Sequence, residues 1–231
     1  MLPDREAVPD FAALGVEAFT TTRDAGSFNT GTPAPVAEVI GRWYSLVDAL
    51  TDLVPRVATA RQVHGTRIIV HEAAWEGWLR VPSADGQVAP ARGTALTITV
   101  ADCVPVFIAH PSGAVALLHS GWRGTAAGIL DRGVQLLMRH GYATGELIIH
   151  LGPAVCGDCY EVSPEVYGQL TGRSVAAPTH ADLRALLAAR AQALGVRHIT
   201  TSPLCTRCHN DRFYSHRAGD TGRQVAVIAA P

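Results

Sequence analysis

The chain has 231 residues, 48% of them apolar and 17% charged, with a formal net charge of -1. That composition builds a substantial core and excludes an extended disordered protein; the balanced charge offers no basic surface for nucleic acid. All nineteen basic residues are arginine, which excludes lysine Schiff-base chemistry, pyridoxal phosphate anchoring and a Walker-type phosphate loop.

In chain order, a helix is expected over 35–50, with proline in its first turn. A strand follows over 66–71, and 72–88 reads as loop or irregular structure. Strands over 95–100, 104–109 and 114–119 come next. A helix over 124–140 places Leu130, Val134 and Leu137 on one face and stops at Gly141. After a strand over 146–151, a second such helix over 181–194 carries Leu183, Leu187 and Leu194 and stops at Gly195. The last strand covers 224–229. Most of these strands are continuously apolar and rich in Val and Ile, which suits burial on both faces. The expectation is one mixed α/β domain over 1–231, a layered sandwich of sheets and helices. No run of 18 apolar residues occurs, and the start, MLPDREAVPDF, lacks the basic-then-apolar run of a signal peptide. A cytoplasmic protein without a membrane partner is therefore expected.

Three segments place a His or Cys beside a strand end: Gln62-Val63-His64-Gly65, Ala101-Asp102-Cys103-Val104-Pro105 and His119-Ser120-Gly121-Trp122-Arg123-Gly124. Two imidazoles and a thiolate form a good zinc set, and three protein ligands leave a fourth position open, as catalytic zinc requires. The gaps of 39 and 16 residues match no regular metal motif. On spacing alone, the three read more readily as two hydrogen-bonded structural histidines and a small buried thiol, since free cysteine is usually buried and inert. Gly121–Gly124 follows a strand and opens a helix, a natural anion site that Arg123 could reinforce, or simply a tight turn with Trp122 packed inward. Two C-x-x-C units, Cys156/Cys159 and Cys205/Cys208, would close a second metal site if the fold brings them together; otherwise they are unpaired thiols or a redox pair. His209 is a further candidate ligand there or a surface histidine.

At these segments the chain resembles the YfiH-like family, long labelled laccase-like or multicopper polyphenol oxidase and better described as purine nucleoside phosphorylases with adenosine deaminase activity. The resemblance extends through Ala84-Asp85-Gly86, Leu151-Gly152-Pro153, Cys159-Tyr160-Glu161-Val162, Phe213-Tyr214-Ser215-His216-Arg217 and Thr221-Gly222-Arg223, from about Phe19 to the C-terminus. It implies an α/β sandwich related distantly to the catalytic domain of cytotoxic necrotizing factor. It also implies zinc on His64, Cys103 and His119, and a nucleoside and phosphate as small-molecule partners. The segment Thr22–Gly31 departs from the family's Arg-x-Gly-Gly-Val-Ser pattern: it is shorter and lacks the double glycine, with Arg23 and Asn29 aligned on the family's Arg and Asn. Ser120 stands where alanine is common.

On this reading Asp102, Arg23, Gln62 and Arg123 are the candidate catalytic residues, and Asn29 and Arg217 candidate substrate contacts. Asp102 beside a ligand is an acid/base candidate or an orienting group. Arg23, Arg123 or Arg217 would hold phosphate, and Gln62 would contact the nucleoside by resemblance. A copper laccase competes, as the old label claims; its copper cluster needs close His-x-His pairs, and no two of the ten histidines are one residue apart. A cysteine hydrolase with Cys103 as nucleophile, a hydrolase editing peptidoglycan precursors and a non-enzymatic zinc protein compete as well.

Overall fold

The computed structural model describes residues 1–32, 34–72 and 75–231. Its strands are β1 (Arg5–Ala7), β2 (Glu17–Thr21), β3 (Arg56–Ala60), β4 (Ile68–Val70), β5 (Gly77–Val81), β6 (Gly86–Ala89), β7 (Thr94–Val100), β8 (Val104–Ala109), β9 (Val115–Ser120), β10 (Ile148–Leu151), β11 (Glu161–Val162), β12 (Thr179–His180), β13 (His198–Thr201) and β14 (Gln224–Ala230). Its helices are α1 (Val36–Thr51), α2 (Trp122–Ala126), α3 (Ile129–Arg139), α4 (Pro164–Thr171) and α5 (Leu183–Ala193). Two six-stranded mixed sheets form, in the orders β1-β2-β14-β7-β3-β5 and β13-β10-β8-β9-β6-β4.

The two-residue period of each strand explains the layering. Along β14, Val225, Val227 and Ala229 pack on α1, while Ala226, Ile228 and Ala230 face the other sheet. Leu96, Ile98 and Ile228 of the first sheet meet Phe107 and Leu117 of the second in a dry inter-sheet core. On the outer face of the second sheet, Val104, Val106 and Leu118 receive Ile129, Val134 and Leu137 of α3 and Leu183 and Leu187 of α5. Four layers result, helix–sheet–sheet–helix, and both faces of the central strands are buried. Each fully buried Leu, Ile or Phe side chain gains roughly 1.5–3 kcal/mol over exposure, before its entropy cost. Among the described residues no helix is long and apolar enough to cross a membrane.

The expected strands over 95–100, 104–109, 114–119 and 224–229 coincide with β7, β8, β9 and β14, and the helices over 35–50 and 181–194 with α1 and α5. Two expectations need correction. The helix over 124–140 is two helices, because Gly128 adopts a left-handed conformation (φ 76°) and restarts the chain as the N-cap of α3. The stretch 72–88, expected to be irregular, contains β5 and the start of β6; its residues 73 and 74 lie outside the described residues. β5 is the outermost strand of its sheet and carries exposed Leu79 and Arg80, so its pattern lacks a buried run.

The two sheets exchange the chain at one end. The three residues after β7 carry it from the first sheet to β8 of the second, and the seven after β3 carry it to β4. Cys103 lies on the first crossing and His64 on the second.

The left-handed Gly128 has a measurable consequence. Gly128→Ala should lower stability by about 1–2 kcal/mol, the cost of a Cβ in that conformation, read as a lower urea midpoint at constant slope. An unchanged midpoint would contradict the break between α2 and α3.

Candidate metal centre

One ligand atom from each of His64, Cys103 and His119 lies within 4.8 Å of those of the other two. The imidazoles of His64 and His119 meet edge to face, 4.9 Å apart between centroids. Three distant segments converge here because each ends at the same end of the sandwich: His64 on the crossing after β3, Cys103 on the crossing after β7, and His119 at the end of β9.

Asp85, fully buried just before β6, ties the first and third segments together. Its carboxylate accepts N–H hydrogen bonds from His64 (2.8 Å), Gly65 (2.7 Å) and Val63 (3.2 Å). It also accepts one from His119 Nδ1 at 2.9 Å. A carboxylate can only accept, so Nδ1 of His119 carries a proton, and Nε2 is the nitrogen left to bind a metal, which would displace any proton there. Burial alone would raise the Asp85 pKa; the hydrogen bonds from His119 and from the backbone of Gly65 and Val63 outweigh it and hold the carboxyl below its usual value. The same bonds stabilise His64 in a left-handed conformation (φ 59°), which a β-carbon makes costly without compensation.

The thiol is activated by its neighbours. Burial would push the Cys103 pKa up, but His119 and His64 beside it bring it down to about 6. Burial would likewise lower His119, yet Cys103 and Asp85 together raise it to about 9. At neutral pH the sulfur is therefore a thiolate, the form that binds metals. Gly121 passes so close that a Cβ there would stand 2.8 Å from Cys103 Sγ; the glycine keeps the space around the sulfur open. Donor chemistry, mutual distance and this cradle all fit a metal ion with three protein ligands.

The centre opens into a cleft of about 860 Å³, within the ~300–1,000 Å³ usual for small-molecule sites. Its walls include Phe28, Trp43, Trp78, Trp122 and Tyr160, and five arginines, Arg61, Arg80, Arg123, Arg217 and Arg223; Asp102 is the one acidic residue lining it among those described. Arg123 lies over the Trp122 ring at 4.3 Å and Arg217 over Tyr160 at 4.7 Å. Each stack fixes the direction of a charge that would otherwise swing freely.

Other candidates sit differently. Asp102, in a left-handed conformation (φ 77°), accepts from Thr206 Oγ1 at 2.6 Å and from the Arg217 backbone N–H at 2.7 Å. Gln62 lines the cleft, but its amide closes the end of β7: Nε2 donates to the Thr99 carbonyl (2.6 Å) and Oε1 accepts from Thr99 N–H (2.9 Å). Asn29 borders the cleft with its amide bonded to the Thr221 carbonyl at 2.7 Å. Arg23 is not among the lining residues: it donates to the carbonyls of Asn210 and Phe213, pairs with Asp220 at 2.7 Å and stacks on Tyr214. Sequence reasoning gave Asp85 no role; the signal was its place in the Ala84-Asp85-Gly86 segment that carries the resemblance, just before β6. Arg61, Arg80 and Arg223 were also missed, since nothing local separates a cleft arginine from a surface one.

A sheet-on-sheet α/β fold with a two-histidine, one-cysteine centre at the base of a cationic cleft defines the class of enzyme to which this molecule conforms. The chain belongs to the family described as multi-copper polyphenol oxidoreductase laccase, matched over residues 21–231. Among its relatives, a purine nucleoside phosphorylase of Streptomyces coelicolor is 38% identical over 181 residues, 75% of this chain and 74% of that protein. An adenosine deaminase from an unidentified prokaryote is 32% identical over 250 residues, 90% of this chain and 91% of that protein. The crystal structure of the hypothetical protein YfiH of Bacillus licheniformis superposes with a TM-score of 0.87 at 25% identity, covering 99% of this chain and 97% of that one.

Asp85→Asn tests the hub. An amide nitrogen cannot accept the hydrogen bonds that a carboxylate oxygen receives, and the replacement should weaken metal binding by about 10–100-fold. Competition with a chromophoric chelator measures it; unaltered affinity would show that Asp85 does not orient the ligands.

Proposed function

We propose that this protein is a zinc-dependent purine nucleoside phosphorylase that also deaminates adenosine. The observation that carries the reading is the open three-ligand centre of His64, Cys103 and His119 facing a cleft with five arginines. Relatives named as phosphorylase and deaminase support it. Nitrogen and thiolate donors in this ratio suit zinc, whereas a multicopper cluster needs far more histidine than the cleft offers. When bound, zinc would supply Lewis acidity and bring the acidity of water close to neutral.

The residues have separable tasks in this scheme. The aromatic wall stacks the purine, and the arginines bind the phosphate that attacks the anomeric carbon as the base departs. Arg123 and Arg217 are the strongest phosphate candidates, because each guanidinium is already oriented on an aromatic face. A fixed cationic field favours the anion and matches the charge redistribution of an oxocarbenium-like transition state. In deamination, water replaces the amino group at C6 and ammonia leaves. Asp102 is a positioning residue here: both carboxylate oxygens already hold neighbours, and one of those bonds places the Arg217 backbone. Gln62 and Asn29 shape the cleft through the strand and loop they brace.

A second reading has one observation in its favour. Cys103, His119 and Asp85 line up as thiol, imidazole and carboxylate, with His119 hydrogen-bonded to Asp85 and a ring nitrogen within 4.8 Å of the sulfur, the arrangement of a cysteine nucleophile. A hydrolase of that kind would be inactivated by a thiol alkylator and would ignore a chelator.

Incubation of the zinc-loaded protein with adenosine, with and without phosphate, separates the possibilities. The expected products are adenine and ribose 1-phosphate when phosphate is present, and inosine as well. Cys103→Ser should abolish turnover and remove the zinc of this centre. Undiminished turnover in that variant, or no reaction of the wild type with adenosine, would overturn the proposal.

A further inference from the structure

The two C-x-x-C units do not belong to the cleft, and the fold brings them together. One ligand atom each from Cys156, Cys159, Cys205 and Cys208 lies within 4.8 Å of the other three. Cys159 Sγ and Cys208 Sγ are 3.5 Å apart, and all five cysteines of the chain are free thiols. Sulfurs around a tetrahedral zinc stand about 3.8 Å apart, from Zn–S bonds of about 2.3 Å. The four thiols therefore already enclose a space of that size.

We propose that Cys156, Cys159, Cys205 and Cys208 bind a second zinc ion, a closed structural site that clamps the turn after β13 to the turn before β11. Four sulfurs fill the coordination shell, so this centre has no open position and no catalytic role. His209 stays outside it, with Nδ1 against the backbone of Cys205.

Three independent features suit a tetrathiolate. The backbone N–H groups of Cys156 and Cys208 both point at Cys205 Sγ, at 3.2 and 3.4 Å, donors that stabilise a charged sulfur. Arg207 reaches across the cluster to the Cys159 carbonyl at 3.4 Å, bringing a cation beside a centre whose four thiolates outweigh the metal charge. The two turns are held in register by a parallel bridge between Ala154 and Cys205, and by the Thr206 N–H bonded to the Ala154 carbonyl at 3.1 Å.

The position explains why a clamp is useful. Residues 202–223, between β13 and β14, contain a single short 3-10 turn, an unusually long span without regular structure. That span supplies His216, Arg217 and Arg223 to the cleft. Thr206, between two of the cysteines, donates to Asp102, the neighbour of Cys103. The clamp therefore holds the far wall of the cleft without touching substrate.

Elemental analysis of the intact protein purified under reducing conditions tests the site apart from the catalytic centre. Wild type should hold two zinc ions per chain, Cys103→Ser one, and Cys159→Ser/Cys208→Ser one. In Cys103→Ser protein, titration with an organic mercurial should release one zinc as four thiols react. Trypsin should then cut at Arg207 and Arg212 faster than before zinc release. The mercurial arm needs no disruption of the cysteine cluster, so it stands even if the double variant fails to fold. Cys103→Ser protein without zinc, four thiols reacting freely in zinc-replete protein, or a Cys159–Cys208 disulfide in the purified chain would each overturn the proposal. Failure of the phosphorolysis assay would leave this zinc count unaffected.

Discussion

A single buried carboxylate organises the working end of the molecule. Asp85 has no solvent to stabilise its charge, and its environment replaces that solvation with N–H donors. Three come from one turn and the fourth from a ring on a different strand. The turn that carries His64 and the ring of His119 are thus held by the same two oxygens. Neither residue can move without exposing an unpaired charge in a dry interior, a cost of several kcal/mol. The centre is rigid because the penalty for loosening it is electrostatic and not only steric.

The sandwich supplies the rest of the geometry. Parallel pairing of β3 with β7 puts the C-terminal ends of both strands on one side. Each chain then crosses from the first sheet to the second there. Crossing chains must bend sharply, and His64 and Asp102 absorb the bend in left-handed conformations. The strain is tolerated because hydrogen bonds over-determine both corners, from Asp85 at one and from Thr206 and Arg217 at the other.

Much of this was legible in the sequence because burial on both faces leaves continuous Val- and Ile-rich runs. β7, β8, β9 and β14 stand out for that reason, as do α1 and α5 with their one-sided stripes. β2, β3 and β13 are hidden because threonine and alanine fill their buried or edge positions. α4 carried its own signal, Ser163 as a side-chain cap followed by Pro164, but its eight residues are too short to show a period. The convergence of His64, Cys103 and His119 was visible only as three polar interruptions at strand ends, because it depends on sheet crossings that no local pattern encodes. The loop residues Arg23, Gln62 and Asn29 drew attention as functional groups. The structure gives their side chains hydrogen bonds to backbone carbonyls, work that a one-dimensional pattern cannot tell from ligand binding.

The five cleft cations are all guanidinium groups. A guanidinium keeps its charge throughout the physiological range, so the contribution of these five groups to the field does not titrate. Nor does it offer a primary amine to acylating metabolites such as acyl phosphates or thioesters. A lysine-free cationic cleft is thus shielded from the covalent neutralisation that silences amine-based ones, and its arginine charge persists when cellular acidity drifts.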